Sequence, residues 1–527
     1  MADKKAQDVQ AVGAKARYGK LMGSRETVLE RVRECSDLTI PGLIPRSGMS
    51  DEYLMPTPYQ SLGARGVNNL ASKLLLALFP PNTAYFRLSM DEDVAEKLSQ
   101  GNPGGKEQID TALAKLERKI SRRIETSNAR QIIFETLKLL VVSGNAVLYA
   151  DKERNRVFRI DQYVIVRDAV GHPLEVVIRE SVLPQALSEE VRTLCELNAD
   201  GQVPVELFTR IVWKDKKVCY HQELNDIELP GTDGEHPFDK TPWCPLRWQP
   251  FANSDYGRGL VDEYLGDLRS LEGISTAIVQ FAAAASKIVF LVHPNATTDA
   301  TDLVQAESGD VINGSAADID IVQLEKQADF TVAKSVSDEL TKRLSNAFLL
   351  QGGAVRDAER VTAEEIRGMA QELEDVLGGV YTVLSRELQL PMTERIMAQM
   401  TRDKELPALP KGSVEPLITT GFEALGRNHA ANKLRSFLAD ASQALTPQVV
   451  AQYIKAGIVL NAFGKNYGVE NLDEMIRSDD EVQQMQQQAQ QQQMMAKAGP
   501  GVAQEVAKGA VAHNATATGG GQPAPAK

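Results

Sequence analysis

The sequence predicts an α+β fold, mainly α, on three observations. Long stretches towards both ends repeat apolar residues at three-and-four spacing, the mark of amphipathic helices. Between Ala146 and Glu223 the texture changes to short β-branched runs bounded by turn residues. From Tyr256 the helical period returns, broken once by a small polar insert. Helices first and mostly antiparallel strands after indicate α+β rather than alternating α/β. With 527 residues, the chain has room for several substructures.

The elements follow in order. Ala6 to Ser36 reads as a helix with Val9, Val12, Leu21, Val28, Leu29 and Val32 inward. Ser61 to Phe79 is a second, ended by Pro80-Pro81. A third runs from about Lys106 to Asn128, with Ile109, Leu113, Leu116, Ile120 and Ile124 inward and Lys115, Arg118, Lys119, Arg122 and Arg123 outward. That basic face has two readings, a nucleic-acid contact or a face that is wet or meets a neighbouring subunit, and the second is the more common. A fourth helix stops at Gly144. Strands are expected at Ala146–Tyr149, Val157–Ile160, Tyr163–Val166 and Leu174–Arg179, then as a pair, Val205–Trp213 and Val218–Glu223, around Asp215. The next helix carries Val261, Leu265, Leu268, Leu271, Ile274, Ile278 and Phe281. Short strands at Ile288–Val292, Asp310–Ile312 and Ile319–Leu324 separate it from a helix that starts with Val332, Val336, Leu340, Leu344 and Phe348. Two helices flanking so compact an insert should lie side by side.

Gln351 to Met400 is the stretch with the clearest punctuation. Thr362 and Glu365 form a capping box. Ile366, Met369, Leu373, Val376, Leu377, Val380, Leu384 and Leu388 then mark one face, up to Pro391. A helix of about 29 residues would be about 43 Å long, with Gly378-Gly379 as a candidate bend. Gly352, Gly353, Arg356, Asp357 and Arg360 make the segment before it a flexible, charged loop. Beyond Met400, Pro416–Thr420 reads as a strand, Asn428–Leu445 and a stretch from Thr446 as helices, and Val482–Met495 as a glutamine-rich helix. The Gly, Ala, Thr and Pro composition from about Gly499 to Lys527 predicts disorder.

Composition and motifs point away from catalysis. A net charge of −13 argues against a protein that grips nucleic acid over its whole surface. Four unclustered cysteines suggest reduced thiols, and the polar MADKKAQDVQ start suggests no signal peptide. No apolar run is long enough to predict a membrane span. QGNPGGK at Gln100–Lys106 lacks the first glycine and the Ser or Thr of a phosphate-binding loop. Cys219, His221, His236 and Cys244 are the right inventory for zinc, but their spacing fits no zinc knuckle, and buried or half-exposed side chains explain them more simply. Paired carboxylates such as Glu364-Glu365 and Glu374-Asp375 are adjacent on a helix and read as a solvated face. No catalytic residue, metal or cofactor is expected.

Four stretches together resemble the head-to-tail connector (portal) proteins of short-tailed bacteriophages of the Autographivirus type. They are GARGVNNLASKLLLALFPPNTAYFRL (63–88), DYGRGLVDEYLGDLRSLEGIS (255–275), RVTAEEIRGMAQELEDVLGGVYTVLSRELQLPMTERI (360–396) and PLITTGFEALGRN (416–428). The resemblance implies a dodecameric ring around an axial channel for double-stranded DNA, set at one capsid vertex. It implies a wing (1–259), stem helices at 260–286 and 329–350 around a clip (287–328), a channel loop (351–361) and a wing spine helix (362–405). A crown (406–480), a barrel helix (481–498) and a disordered tail (499–527) complete it. Implied partners are the terminase large subunit, which would hydrolyse the ATP, then tail adaptor and tail proteins, and the scaffolding, internal core and major capsid proteins. Channel residues are expected at Gly352, Gly353, Arg356, Asp357 and Arg360, with an acidic wall that repels phosphate and keeps DNA moving. Alternatives are another virion ring, such as a tail adaptor, which should lack the helix–clip–helix unit, and a DNA-processing enzyme.

Overall fold

The computed structural model describes residues 13–46, 55–81, 85–90, 105–126, 128–151, 155–198, 200–285, 289–322, 327–350, 376–406, 414–418 and 434–445, with isolated residues 373, 454, 457, 459, 460, 463 and 485. The chain divides into two units, Met1–Phe422 and Glu423–Lys527.

In the first unit, helix α1 (Ala14–Asp37) lies on an antiparallel sheet in which β4 (Tyr163–Arg167), β5 (Pro173–Val182), β6 (Val205–Lys214) and β7 (Lys217–Leu224) follow one another. β8 (Ile227–Glu228) and β9 (Gly234–Pro237) complete it, both paired with β7. Asn225 and Asp226 turn β7 into β8 with positive φ at both, which matches the right-handed twist of the strands. The α1 contact is small and polar at its rim. Tyr18 packs on Val164, Val177 and Phe208, while Glu175 bridges Arg17 and Arg210 at 2.8 Å each. Edge strand β4 is covered by the DYGRG stretch: Asp255 Oδ1 accepts from the Arg167 amide at 2.7 Å, and Tyr256 Oη from the Ile165 amide.

The main core surrounds α2 (Leu62–Leu78) and α4 (Ala129–Ser143), with α3 (Gly105–Thr126) alongside. Buried α4 feeds directly into β2 (Asn145–Tyr149), the centre of a sheet with β3 (Arg156–Phe158) and β10 (Trp243–Arg247). Gly144 makes that link at φ 71°, where a Cβ would fall 2.2 Å from the Arg258 carbonyl carbon.

Two departures from the expected elements stand out here. β1 (Phe86–Met90) is a strand the sequence pattern did not reveal. It pairs antiparallel with β13 (Val414–Ile418), Leu88 opposite Pro416. Asp310–Ile312 is not a strand: Gly309 at φ 106° turns the chain, Asp310 Oδ2 accepts from the Glu307 amide, and Val311 is 97% exposed. β11 (Val289–Val292) pairs with β12 (Ile319–Val322) instead.

Candidate functional site

The feature that organises the second half of this unit is a helix pair, α5 (Leu265–Ala285) and α6 (Gln327–Ala347), with the β11–β12 insert between them. Arg343 bonds Asp267 at 2.9 Å near one end, and Phe281 stacks on Phe330 at 5.7 Å near the other, so the helices run antiparallel along their length. The α5 base is tied to the N-terminal part of the chain. Glu272 accepts from the Tyr59 and Gln60 amides at 2.9 and 3.1 Å, and Arg269 bonds Glu34.

Leu340 and Leu344 on α6 and Phe348 just after it are buried, but Val332 and Val336 are exposed in the single chain. The period is right and the cover stops partway, because α2 reaches only the lower part of α6. That lower end is closely fitted. Phe348 is fully buried against Gly66, where a Cβ would lie 2.5 Å from its ring. Asn69 Nδ2 donates to the Phe348 and Leu349 carbonyls at 3.1 and 3.0 Å, and buried Lys73 Nζ donates to Leu349 O at 2.9 Å. Leu349 itself sits at φ 53°, a left-handed conformation unusual for a leucine. None of these partners was legible from periodicity. The only signal was the GARGVNN spelling, in which glycines occupy a helix that should prefer alanine.

Gly352, Gly353, Arg356, Asp357, Arg360, Thr362 and Glu365 lie outside the described residues. Gly378 and Gly379 lie in regular helix (376–384), and a Cβ at either would meet nothing within 4 Å. The helix changes character further on, at a π-helical turn over Ser385–Gln389. Contrary to the expected stop at Pro391, the chain continues as helix α7 (Leu390–Arg402). Pro391 falls in the first turn of α7, and the turn before it is π: the Leu390 amide bonds Ser385 O, five residues back. The turn is held by polar contacts. Glu387 accepts from the Arg247 amide and guanidinium at 3.0 Å, Gln389 Nε2 donates to Leu78 O, and Tyr381 Oη to Ala77 O. Burial and the neighbouring Arg247 charge lower the Arg167 pKa to about 10.

The insert is closed by Asp318. Its Oδ2 accepts from the Thr297 hydroxyl and amide at 2.9 Å and from the Thr298 hydroxyl at 3.2 Å. The Thr297 hydroxyl bond, chiefly, holds its pKa below the ordinary value. Between Val289 and Val322 there are six acidic residues and no lysine or arginine.

The candidate zinc set does not converge. Val218 pairs with His236 and Cys219 with Glu235, so Cys219 and His221 share one face of the sheet and His236 the other. His236 stacks on Tyr220 at 5.3 Å, His221 bonds Glu223 at 3.0 Å, and Cys244 is buried in a different sheet. Burial lifts the Cys244 thiol to about 12, the wrong direction for a thiolate ligand. Among the described residues no group of His, Cys, Asp and Glu could hold a metal, and no helix is long and apolar enough to cross a membrane.

Glycines explain the motif stretches. Asn145 exchanges bonds with Gly257, accepting from its amide at 2.7 Å and donating to its carbonyl at 2.8 Å. A Cβ at Gly257 or Gly259 would meet backbone oxygens of Gln249 at 2.9 Å or Val141 at 2.7 Å. The DYGRG stretch therefore threads between backbones and delivers the chain, through the short helical turn Leu260–Glu263, into α5.

Comparison with known proteins places these features. The chain is 39% identical over 493 residues to the portal protein of Enterobacteria phage T3, covering 92% of this chain and 91% of that one. It is 42% identical over 433 residues to the portal protein of Escherichia phage T7, covering 80% of each. With the portal protein of Enterobacteria phage SP6 it shares 31% over 497 residues, 93% of this chain and 94% of the other. The model of the bacteriophage head to tail connecting protein family matches residues 11–473. From Gly13 and the α1 helix to beyond the β1–β13 pair, the chain belongs to that family.

Proposed function

We propose that this chain is a portal protein: copies close into a ring, twelve in this reading, at one capsid vertex, and double-stranded DNA enters and leaves through the axial channel. The observation that carries the reading is the match to portal proteins over more than nine-tenths of both chains. The antiparallel α5–α6 pair with its β11–β12 insert supports it, as two stem helices around a clip. Residues 1–259 and 362–405 are then wing, 406–480 crown and 481–498 barrel helix. The loop 351–361 meets DNA through rings of Arg356 and Arg360, which centre or brake the duplex through its phosphates without reading bases. The acidic balance of the chain keeps the wall from holding DNA.

The role is structural, and no bond chemistry is assigned to it. ATP hydrolysis belongs to a terminase docked on the clip, a surface that tail adaptor and tail proteins take over. Scaffolding, internal core and major capsid proteins meet the other side, and the ring nucleates the procapsid. Electron microscopy of the purified protein tests the reading. Top views should show a ring with an axial hole. Particles without one would sink it, and metal-dependent cleavage of duplex DNA would revive an enzyme.

A further inference from the structure

The clearest concentration of charge outside the helix pair is on α3. At about 100° per residue, Lys115, Arg118, Lys119 and Arg122 fall within an arc of about 100°. All four are exposed, while Leu113, Ile120 and Ile124 are buried on the opposite side. The acid within the run, Glu117, is turned inward and accepts from the Leu88 amide at 2.9 Å. Lys119 also donates to Glu405 O, which places exposed Lys404 and exposed Glu405, one charge of each sign, beside the same face. Glu125, at the edge of the arc, is the exposed acid nearest its end.

We infer that this face is a second, external binding surface for the phosphate backbone of duplex DNA. A protein partner would be expected to find an apolar or aromatic anchor at the centre of its contact. Among the described residues of α3 no large apolar side chain is exposed. On the helix itself what remains is a row of cations with no exposed acid between Lys115 and Arg122 to set register, which suits a sequence-independent polyanion. The row from Lys115 to Arg122 is about 10 Å long, and duplex DNA presents about six phosphates over that length. The surface is independent of the loop 351–361 and of the channel reading.

The test is duplex binding by the assembled protein across a salt series, using a fluorescent duplex of about 12 base pairs, which at about 41 Å spans the whole row. Lys115→Ala, Arg118→Ala and Arg122→Ala are combined; alanine favours the helix, and Lys119 keeps its bond to Glu405. Three lost phosphate contacts should reduce the slope of log K against log salt by about 2.7, and weaken binding about a hundredfold at 0.15 M salt. Lys214→Ala with Lys216→Ala, which removes exposed charge elsewhere, should leave both unchanged. A triple variant with wild-type slope and affinity would overturn the inference. So would polyglutamate displacing the duplex at lower charge concentration than competitor DNA, which would assign the face to an acidic protein.

Discussion

Replacing Gly66 by alanine and Gly379 by alanine is the same chemical change with opposite expected outcomes. Both glycines sit inside helices, where alanine is intrinsically preferred by about 1 kcal/mol. At Gly379 nothing lies within 4 Å of the added carbon, so that preference should appear as a gain in stability. At Gly66 the new Cβ would fall 2.5, 2.7 and 2.9 Å from the Cγ, Cδ2 and Cβ of Phe348. The ring cannot swing away freely: Phe348 is fully buried, and the carbonyls of Phe348 and Leu349 are held by Asn69, that of Leu349 also by Lys73. Overpacking of this kind costs about 1–3 kcal/mol, enough to outweigh the helix preference. Thermal melting of the unassembled chain should therefore place the Gly379→Ala variant above wild type and the Gly66→Ala variant below it. Both lie in the unit Met1–Phe422, where at about 2.1 cal/mol/K per residue 1 kcal/mol moves the midpoint by about 1 °C, so the two should differ by about 1–3 °C. If Gly66→Ala melts at or above wild type, the close approach is not what that glycine is for. The account of the GARG stretch would then fail.

Three further outcomes are expected. Burial raises the Cys35 and Cys244 thiols to about 12, so about one molecule in ten thousand is thiolate at pH 8; half-buried Cys219 should label first, and equal labelling of Cys244 in the folded protein would contradict its burial. Asp318 has a depressed pKa, so its stabilisation of the insert is complete above its unfolded value, 3.8, and is lost as pH falls through the lower folded value. Protection of the Thr297 amide from hydrogen exchange, corrected for intrinsic rate, should fall in that window, and protection that persists below it would remove Asp318 as the clasp. On the portal reading, Arg356→Ala with Arg360→Ala should leave the ring intact and alter DNA packaging or retention; particles with unchanged genome content and leakage would count against those residues.

The helices were legible wherever one face is apolar along its whole length, as in Leu62–Leu78, Gly105–Thr126 and Leu265–Ala285. The hairpin Val205–Leu224 was legible because alternation and its turn are local. Phe86–Met90 was not, since its partner Val414–Ile418 is far along the chain and no local signal marks the pairing. Pro391 misled for a related reason. A proline forbids an ordinary helical turn, and whether a chain stops or widens there depends on what holds the turn open, here Arg247 on Glu387 and Leu78 O on Gln389. The zinc inventory is the converse case, residues of the right kind that the sheet register places on opposite faces.

By itself, then, the sequence determined the mainly helical α+β class, the helix–insert–helix order, the basic outer face of α3 and the resemblance to connector proteins. Each of these depends on neighbours within a few positions or on a spelled motif. Only the tertiary structure decided why Gly66, Gly144, Gly257 and Gly259 are glycines, where the apolar face of α6 stops being covered, and how the helix passes Pro391. Those depend on atoms brought from distant elements to within a van der Waals or hydrogen-bond distance, which no periodicity encodes.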